Sequence, residues 1–152
     1  MRALVTGATG FVGSAVVREL LADGVEVRAL VRARSPLVNL EGLEVERVQG
    51  DLDDLASLRR ALLGCDVVYH VAAFYSNRPE DAARLRQVNV EGTARLLVAA
   101  RASGVSRFVH TSTIGTIGRP TGGGPATEDC APRSRPRRTP WQQLGTASRS
   151  WW

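Results

Sequence analysis

The chain has 152 residues, 43% of them apolar, with 20 basic and 15 acidic side chains and a formal net charge of +5 at pH 7. That length suits one domain with a real buried core, the apolar fraction is ordinary for a globular protein, and no apolar run approaches the length of a membrane span. Residues 1–130 hold equal numbers of arginines and carboxylates, so the whole excess sits in Arg133, Arg135, Arg137, Arg138 and Arg149, and the region before them gives no reason to expect a nucleic-acid partner.

Every basic residue is arginine, and the chain contains no lysine. Cys65 and Cys130 make neither a disulfide framework nor a metal-ligand spacing, so reduced thiols and no metal are expected. Met1-Arg2 runs straight into an apolar stretch without a secretory leader, which points to a cytoplasmic location.

The first predicted strand is Arg2–Thr6, and it enters the turn Val5-Thr6-Gly7-Ala8-Thr9-Gly10-Phe11-Val12-Gly13. A helix over Phe11–Ala22 follows, with apolar residues at helical spacing. A glycine-rich turn between a strand and a helix is a phosphate cradle: Gly7 can take a dihedral closed to other residues, and Gly10 leaves room where a pyrophosphate would sit. Gly13 lets the helix lie against the strand, and the helix N-terminus faces the phosphates. The spacing is G-x-x-G-x-x-G, one residue longer in its first gap than the standard dinucleotide fingerprint.

Asp23-Gly24 stops the helix before a second strand, Val25–Val31. Where an acid would accept from the adenosine ribose, the chain has Arg32, which can pair with a 2′-phosphate; this favours NADP over NAD. A third strand, Leu43–Val48, leads into Gly50-Asp51-Leu52-Asp53-Asp54. Here Asp51 can accept from the adenine amino group while Leu52 packs on the ring, and Asp53 or Asp54 caps a helix over Leu55–Leu63. The same cluster also reads simply as a capping group. A fourth strand, Val67–Val71, leads into Ala72-Ala73, whose small side chains let backbone approach the middle of a cofactor; His70, at the strand end, reads as a packed histidine. A long helix is predicted from about Glu80 to Ala102, stopped by Ser103-Gly104 before a fifth strand, Phe108–Thr111. Strand and helix in this alternation predict an α/β, Rossmann-type doubly wound parallel sheet with strand order 3-2-1-4-5.

The segments TGATGFVG, GDLDD, HVAA, VNVEGT and RFVHTSTIGTIG, in this order and spacing, resemble the extended short-chain dehydrogenase/reductases of the NAD(P)-dependent epimerase/dehydratase group. Within that group HVAAFYS and HTSTIGTIG resemble the hopanoid-associated sugar epimerases and dihydroflavonol-4-reductase-like proteins. The likeness covers residues 1 to about 129. It implies that Gly7, Gly10 and Gly13 hold the pyrophosphate with backbone N–H groups of Phe11 and Val12, and that Asp51 and Leu52 contact adenine. It implies a supporting role for Asn89 in the active site, and it places the catalytic hydroxyl at Thr113, with Ser112 adjacent. For intact relatives it implies hydride transfer on a sugar nucleotide or hydroxy-ketone, a small-molecule substrate, and a homodimer as one assembly.

The family's acid/base pair is a tyrosine followed four residues later by a lysine, whose cation lowers the phenol's pKa. This chain has only Tyr69 and Tyr75, both before Thr113, and no lysine, so no Y-x-x-x-K exists in it. Loop residues Thr121-Gly122-Gly123-Gly124-Pro125 precede a change of character near Cys130. Residues 130–152 have no apolar periodicity, three prolines and all three tryptophans. This divides the chain into a dinucleotide-binding domain, 1–129, and an atypical tail, 130–152, expected to be disordered. A truncated or frame-shifted reading of a longer gene accounts for the tail best; a basic-aromatic arm for RNA or anionic lipid, and a tail without a role, are the other readings. The chain as given is then expected to bind cofactor weakly and turn over nothing. The alternatives are a non-catalytic dinucleotide-binding or redox-sensing module and, further off, nucleic-acid binding through the tail.

Overall fold

The computed structural model describes residues 1–113, 116–118, 120, 122, 124–127, 129 and 130. The expectations for residues 131–152 lie outside the described residues. The chain separates into two compact units, Met1–His110 and Thr111–Trp152.

The first unit is a five-stranded parallel sheet of order β3-β2-β1-β4-β5, as the alternation predicts. Its strands are β1 (Arg2–Thr6), β2 (Glu26–Val31), β3 (Glu46–Gln49), β4 (Val67–His70) and β5 (Arg107–His110). Between β1 and β2 runs α1 (Phe11–Ala22), and α2 (Leu55–Leu62) connects β3 to β4. After β4 come α3 (Ala82–Arg86), a π-helical turn (Gln87–Gly92) and α4 (Thr93–Ala102).

Side chains alternate across the sheet and fill two apolar layers, as parallel strands covered on both faces must. Ala3, Val5, Val27, Ala29 and Val67 meet Val17 and Leu20 of α1. Leu4, Leu30 and Val68 point the other way, onto Leu58 and Leu62 of α2 and Leu96 of α4. By the same parity Thr6 and His70, register partners on neighbouring strands, fall on the α4 side, where both are fully buried.

Most boundaries fall within a residue of expectation, and two differ by more, each for a local reason. The third strand begins at Glu46, three residues later than predicted. Leu43 and Val45 are apolar because they pack onto the α1 layer, through a turn in which the Val45 N–H donates to the Leu43 carbonyl. The long helix predicted from Glu80 is divided into a 3-10 turn (Pro79–Asp81), α3, the π turn and α4. One extra residue per turn leaves the apolar pattern nearly unchanged over so short a span, so periodicity does not reveal it. The one-residue differences are the start of β2 at Glu26, the end of β3 at Gln49, the end of α2 at Leu62, the end of β4 at His70, and β5, which is shifted one residue earlier to Arg107–His110.

Arg28, the buried charge of β2, braces the sheet against α2. Its Nη1 donates to the carbonyls of Ala61 and Leu63 at 2.8 and 2.7 Å, and its Nε to Glu46 at 2.8 Å, so a guanidinium satisfies the orphan carbonyls at a helix end. The nearby Cys65 is a buried free thiol, pushed up in pKa chiefly by its burial. Among the described residues no helix is long and apolar enough to cross a membrane, and no group of three potential ligands could hold a metal ion.

In the second unit the Thr113 carbonyl accepts from the Thr116 N–H at 3.1 Å and from its hydroxyl at 2.7 Å. The Ser112 and Thr116 hydroxyl oxygens stand 3.5 Å apart. The Gly118 N–H donates to the Cys130 carbonyl at 2.8 Å.

Candidate dinucleotide site

A cleft of about 400 Å³ opens at the carboxyl ends of β1, β2 and β4, where an open α/β sheet places its ligand. Its floor is the turn from Thr6 to Gly10. Gly7 takes φ +70°, and a β-carbon there would lie 2.7 Å from the Ala72 nitrogen and 2.9 Å from the Val71 carbonyl carbon. The turn and the segment after β4 therefore touch backbone to backbone. Gly10 closes the turn by donating to the Gly7 carbonyl at 3.0 Å and then serves as N-cap of α1. Gly13 packs its Cα face on Gly7, where a β-carbon would overlap the Gly7 carbonyl. Asn39, from a 3-10 turn after β2, braces the outer side by donating to the Thr9 carbonyl at 2.8 Å.

The helix α1 has no side-chain cap and no acidic residue in its first turn. Its first N–H groups, those of Phe11, Val12 and Gly13, have no intrahelical acceptor, so a half-positive end faces the cleft without a protein carboxylate to neutralise it. A diphosphate is the ligand such an end suits.

Gly7, Gly10, Arg32, Leu52, Ala72 and Ala73 all line this cleft, so residues from four segments of the sequence converge on one volume. Asp51 does not line it. It borders a second, shallower cavity shared with Arg32, Ser57 and Arg60, and its Oδ1 accepts from the Asp53 N–H at 3.0 Å. Capping of α2 falls to Asp54, which accepts from the N–H groups of Ala56 and Ser57 at 2.9 and 3.2 Å. Those amide bonds, the one from Ser57 foremost, hold its carboxyl below the usual range. Phe11 is 90% exposed and Val12 half exposed, so only their backbones bear on the turn. Ser112 and Thr113 belong to the second unit.

Asn89 sits in the π turn and grips the segment after β4. Its Oδ1 accepts from the Phe74 N–H at 2.7 Å, and its Nδ2 donates to the Phe74 carbonyl at 2.8 Å. A π turn shifts the side-chain angle relative to a regular helix, and such turns concentrate at functional positions.

Behind the cleft runs a chain of polar groups, centred on the buried Thr6 and His70, that local sequence reading does not reveal. The Thr93 hydroxyl donates to the Asn89 carbonyl at 2.8 Å, so its oxygen accepts from His70 Nε2, 2.8 Å away. His70 Nδ1 is then the acceptor for the Thr6 hydroxyl at 2.7 Å, and that hydroxyl oxygen accepts from the Ala72 N–H at 3.2 Å. Every hydrogen has one place, and the imidazole carries a single proton, on Nε2. Burial, helped by the His110 ring stacked 5.3 Å away, lowers the His70 pKa to about 4. The Asn89–Thr93 spacing of four residues on one helix is the one sequence sign of this chain of bonds.

The sequence profile of the NAD dependent epimerase/dehydratase family matches residues 3–142. The chain is 52% identical over 118 residues to sterol demethylase protein B of Methylococcus capsulatus, covering 78% of this chain and 36% of that protein. It is 46% identical over 114 residues to the "Putative dihydroflavonol 4-reductase" of Synechocystis sp., covering 75% and 33% respectively. Among solved structures, the Thermus thermophilus UDP-glucose 4-epimerase in complex with NAD superposes with a TM-score of 0.76 at 38% identity, over 88% of this chain and 44% of that one. The chain spans about a third of the length of these curated relatives. A parallel 3-2-1-4-5 sheet, a glycine turn opening a helix and a match over nearly the whole sequence agree: this chain belongs to the NAD dependent epimerase/dehydratase family.

Proposed function

We propose that this chain binds a nicotinamide dinucleotide, NADP(H) ahead of NAD(H), for a cytoplasmic oxidoreductase or epimerase/dehydratase acting on a sugar nucleotide or hydroxy-ketone. The observation that carries the reading is the cleft itself, a glycine turn at an uncapped helix N-terminus whose described charged side chains are two arginines and no carboxylate. Bound there, the dinucleotide supplies hydride transfer. The turn from Gly7 to Gly13 holds the diphosphate. Leu52, with Leu30 and Val88, forms the apolar surface for the adenine, and Ala72-Ala73 gives the middle of the cofactor a wall without bulk. Asp51, on the adjoining cavity, takes the adenine edge. Asn89 keeps the Phe74 segment in register, and Thr113, with Ser112, presents the hydroxyl for the substrate carbonyl. The sequence has no lysine, so the chain as given binds cofactor without turnover. That same lack supports the second reading, a dinucleotide-binding module without catalysis.

Gly10→Glu tests the cradle. A β-carbon at Gly10 meets only the Gly7 carbonyl oxygen within 4 Å, at 3.3 Å, so the fold accommodates the change while a carboxylate enters the cleft. Dinucleotide affinity, titrated by nicotinamide fluorescence, should fall roughly 100-fold through charge repulsion and lost amide contacts. Unchanged affinity would remove the diphosphate from this turn.

Cofactor choice rests on Arg32, which lines the cleft at the end of β2 together with Ser35. The Ser35 hydroxyl accepts from the Arg32 N–H at 3.1 Å, and the Ser35 N–H donates back to the Arg32 carbonyl at 3.0 Å, fixing the turn. Arg32→Asp should move the ratio of NADPH to NADH dissociation constants at least about tenfold towards NADH. A static ratio would assign Arg32 to the solvent and withdraw the NADP preference.

A further inference from the structure

The cleft has a second guanidinium that the glycine turn and the β2 arginine do not account for. Arg84, on α3, lines it together with Phe74 and Val88. Because β1 stands between β2 and β4 in the sheet, Arg32 and the segment after β4 flank the glycine turn from its two sides. The Arg84 guanidinium lies over the Phe74 ring, 4.3 Å from its centroid. That ring belongs to the residue whose N–H and carbonyl are both held by Asn89, so the backbone that carries the platform beneath the cation is anchored.

The neighbouring acids do not claim this charge. Asp81 accepts from the Ser76 hydroxyl at 2.6 Å, and Glu91 lies 3.6 Å from both Arg86 and Arg95. Among the described residues no carboxylate oxygen lies within 4 Å of Arg84. A planar cation supported on one face by an aromatic ring keeps its N–H edge available to oxygen ligands, and phosphate oxygens suit that edge.

We propose that Arg84 is a diphosphate-binding residue of this cleft, closing on the bound dinucleotide from the β4 side while the N-terminus of α1 holds it from the glycine turn. The inference rests on the dinucleotide reading above and adds a ligand to it. A single-charge contact of this kind predicts selectivity by ligand: ADP should feel the loss of Arg84, and adenosine should not.

Calorimetric titration of the full chain with ADP, UDP, adenosine and NADPH tests it, using Arg84→Gln and Arg84→Lys. The exposed position should leave the melting temperature unchanged. In Arg84→Gln, affinity for ADP and NADPH should drop roughly tenfold, adenosine affinity should hold, and the dependence of ADP binding on salt should flatten. Arg84→Lys should keep most of the ADP affinity, since it keeps the charge. Equal losses for ADP and adenosine would make Arg84 a packing residue on Phe74, and no loss for either would leave it outside the site; both overturn the proposal. A loss confined to UDP would move Arg84 to a substrate diphosphate and also overturn it. If the unsubstituted chain binds neither ADP nor NADPH, the dinucleotide reading itself falls, an outcome separate from all of these.

Discussion

Alanine at Gly13 is expected to destabilise the first unit by about 3 kcal/mol and to abolish dinucleotide binding, although the side chain added is one methyl group. The new β-carbon would overlap the Gly7 carbonyl oxygen and lie 2.6 Å from the Gly7 carbonyl carbon and 3.0 Å from the Ala8 Cα. All three are backbone atoms of the turn, so no rotamer change relieves the clash. Either α1 withdraws from β1, uncovering Val17 and Leu20, or the turn opens and Gly7 loses its place against Ala72. Alanine at Gly7 should come close behind, because it combines a positive φ with β-carbon distances of 2.7 to 2.9 Å to backbone after β4. Gly10→Ala should be mild, its one close contact being 3.3 Å to the Gly7 oxygen. Thermal melts of the three alanine variants should therefore rank Gly13 and Gly7 far below Gly10. A melt that put Gly10→Ala lowest would mean that the turn is not built on the Gly7–Gly13 contact.

This ranking would test the separate roles that the strand–turn–helix context assigns to the three glycines of G-x-x-G-x-x-G. All three glycines belong to one cradle motif, yet a β-carbon clashes with the protein's own backbone at Gly7 and Gly13 and meets only one atom, at 3.3 Å, at Gly10. The sheet itself was legible because strands covered on both faces read as continuous apolar runs, and the helix between β1 and β2 was read to the residue for its helical spacing and its Asp-Gly stop. Leu43 and Val45 misled because burial of an apolar side chain does not require a strand. The π turn escaped because one inserted residue hardly disturbs a pattern of small and apolar positions. What could not be read at all depends on tertiary register: Thr6 meets His70 across 64 positions, and the Arg84 guanidinium lies over Phe74, whose backbone Asn89 holds from fifteen residues away. The family resemblance singles out Asn89 but not Phe74, because a clamp on backbone leaves no trace in the residue it holds.

Acidification should expose the His70 chain of hydrogen bonds as a determinant of stability. In the folded chain burial, with the stacked His110, keeps the imidazole neutral down to a pKa of about 4, against 6.5 for the free group. A second ring proton has nowhere to go, since Nδ1 already accepts from Thr6. Between pH 6.5 and 4 the unfolded chain therefore binds more protons than the folded one, so stability falls as pH falls through that window. The contribution is complete above pH 6.5 and amounts to about 3 kcal/mol lost by pH 4, at no more than about 1.4 kcal/mol per pH unit. Asp54 does not share the window: its carboxyl is held below 3.8, so its contribution is kept above that value and lost only at lower pH. Urea denaturation at half-unit steps from pH 7 to pH 4 reads the slope directly. His70→Gln offers a donor and an acceptor without titrating, and it should flatten the slope while lowering stability at pH 7. Because the same bonds hold the Ala72 N–H and the Asn89 carbonyl, NADPH affinity should decline over the same interval in the unsubstituted chain and show less decline in the variant. An undiminished slope in His70→Gln would place the acid sensitivity elsewhere and reduce His70 to packing.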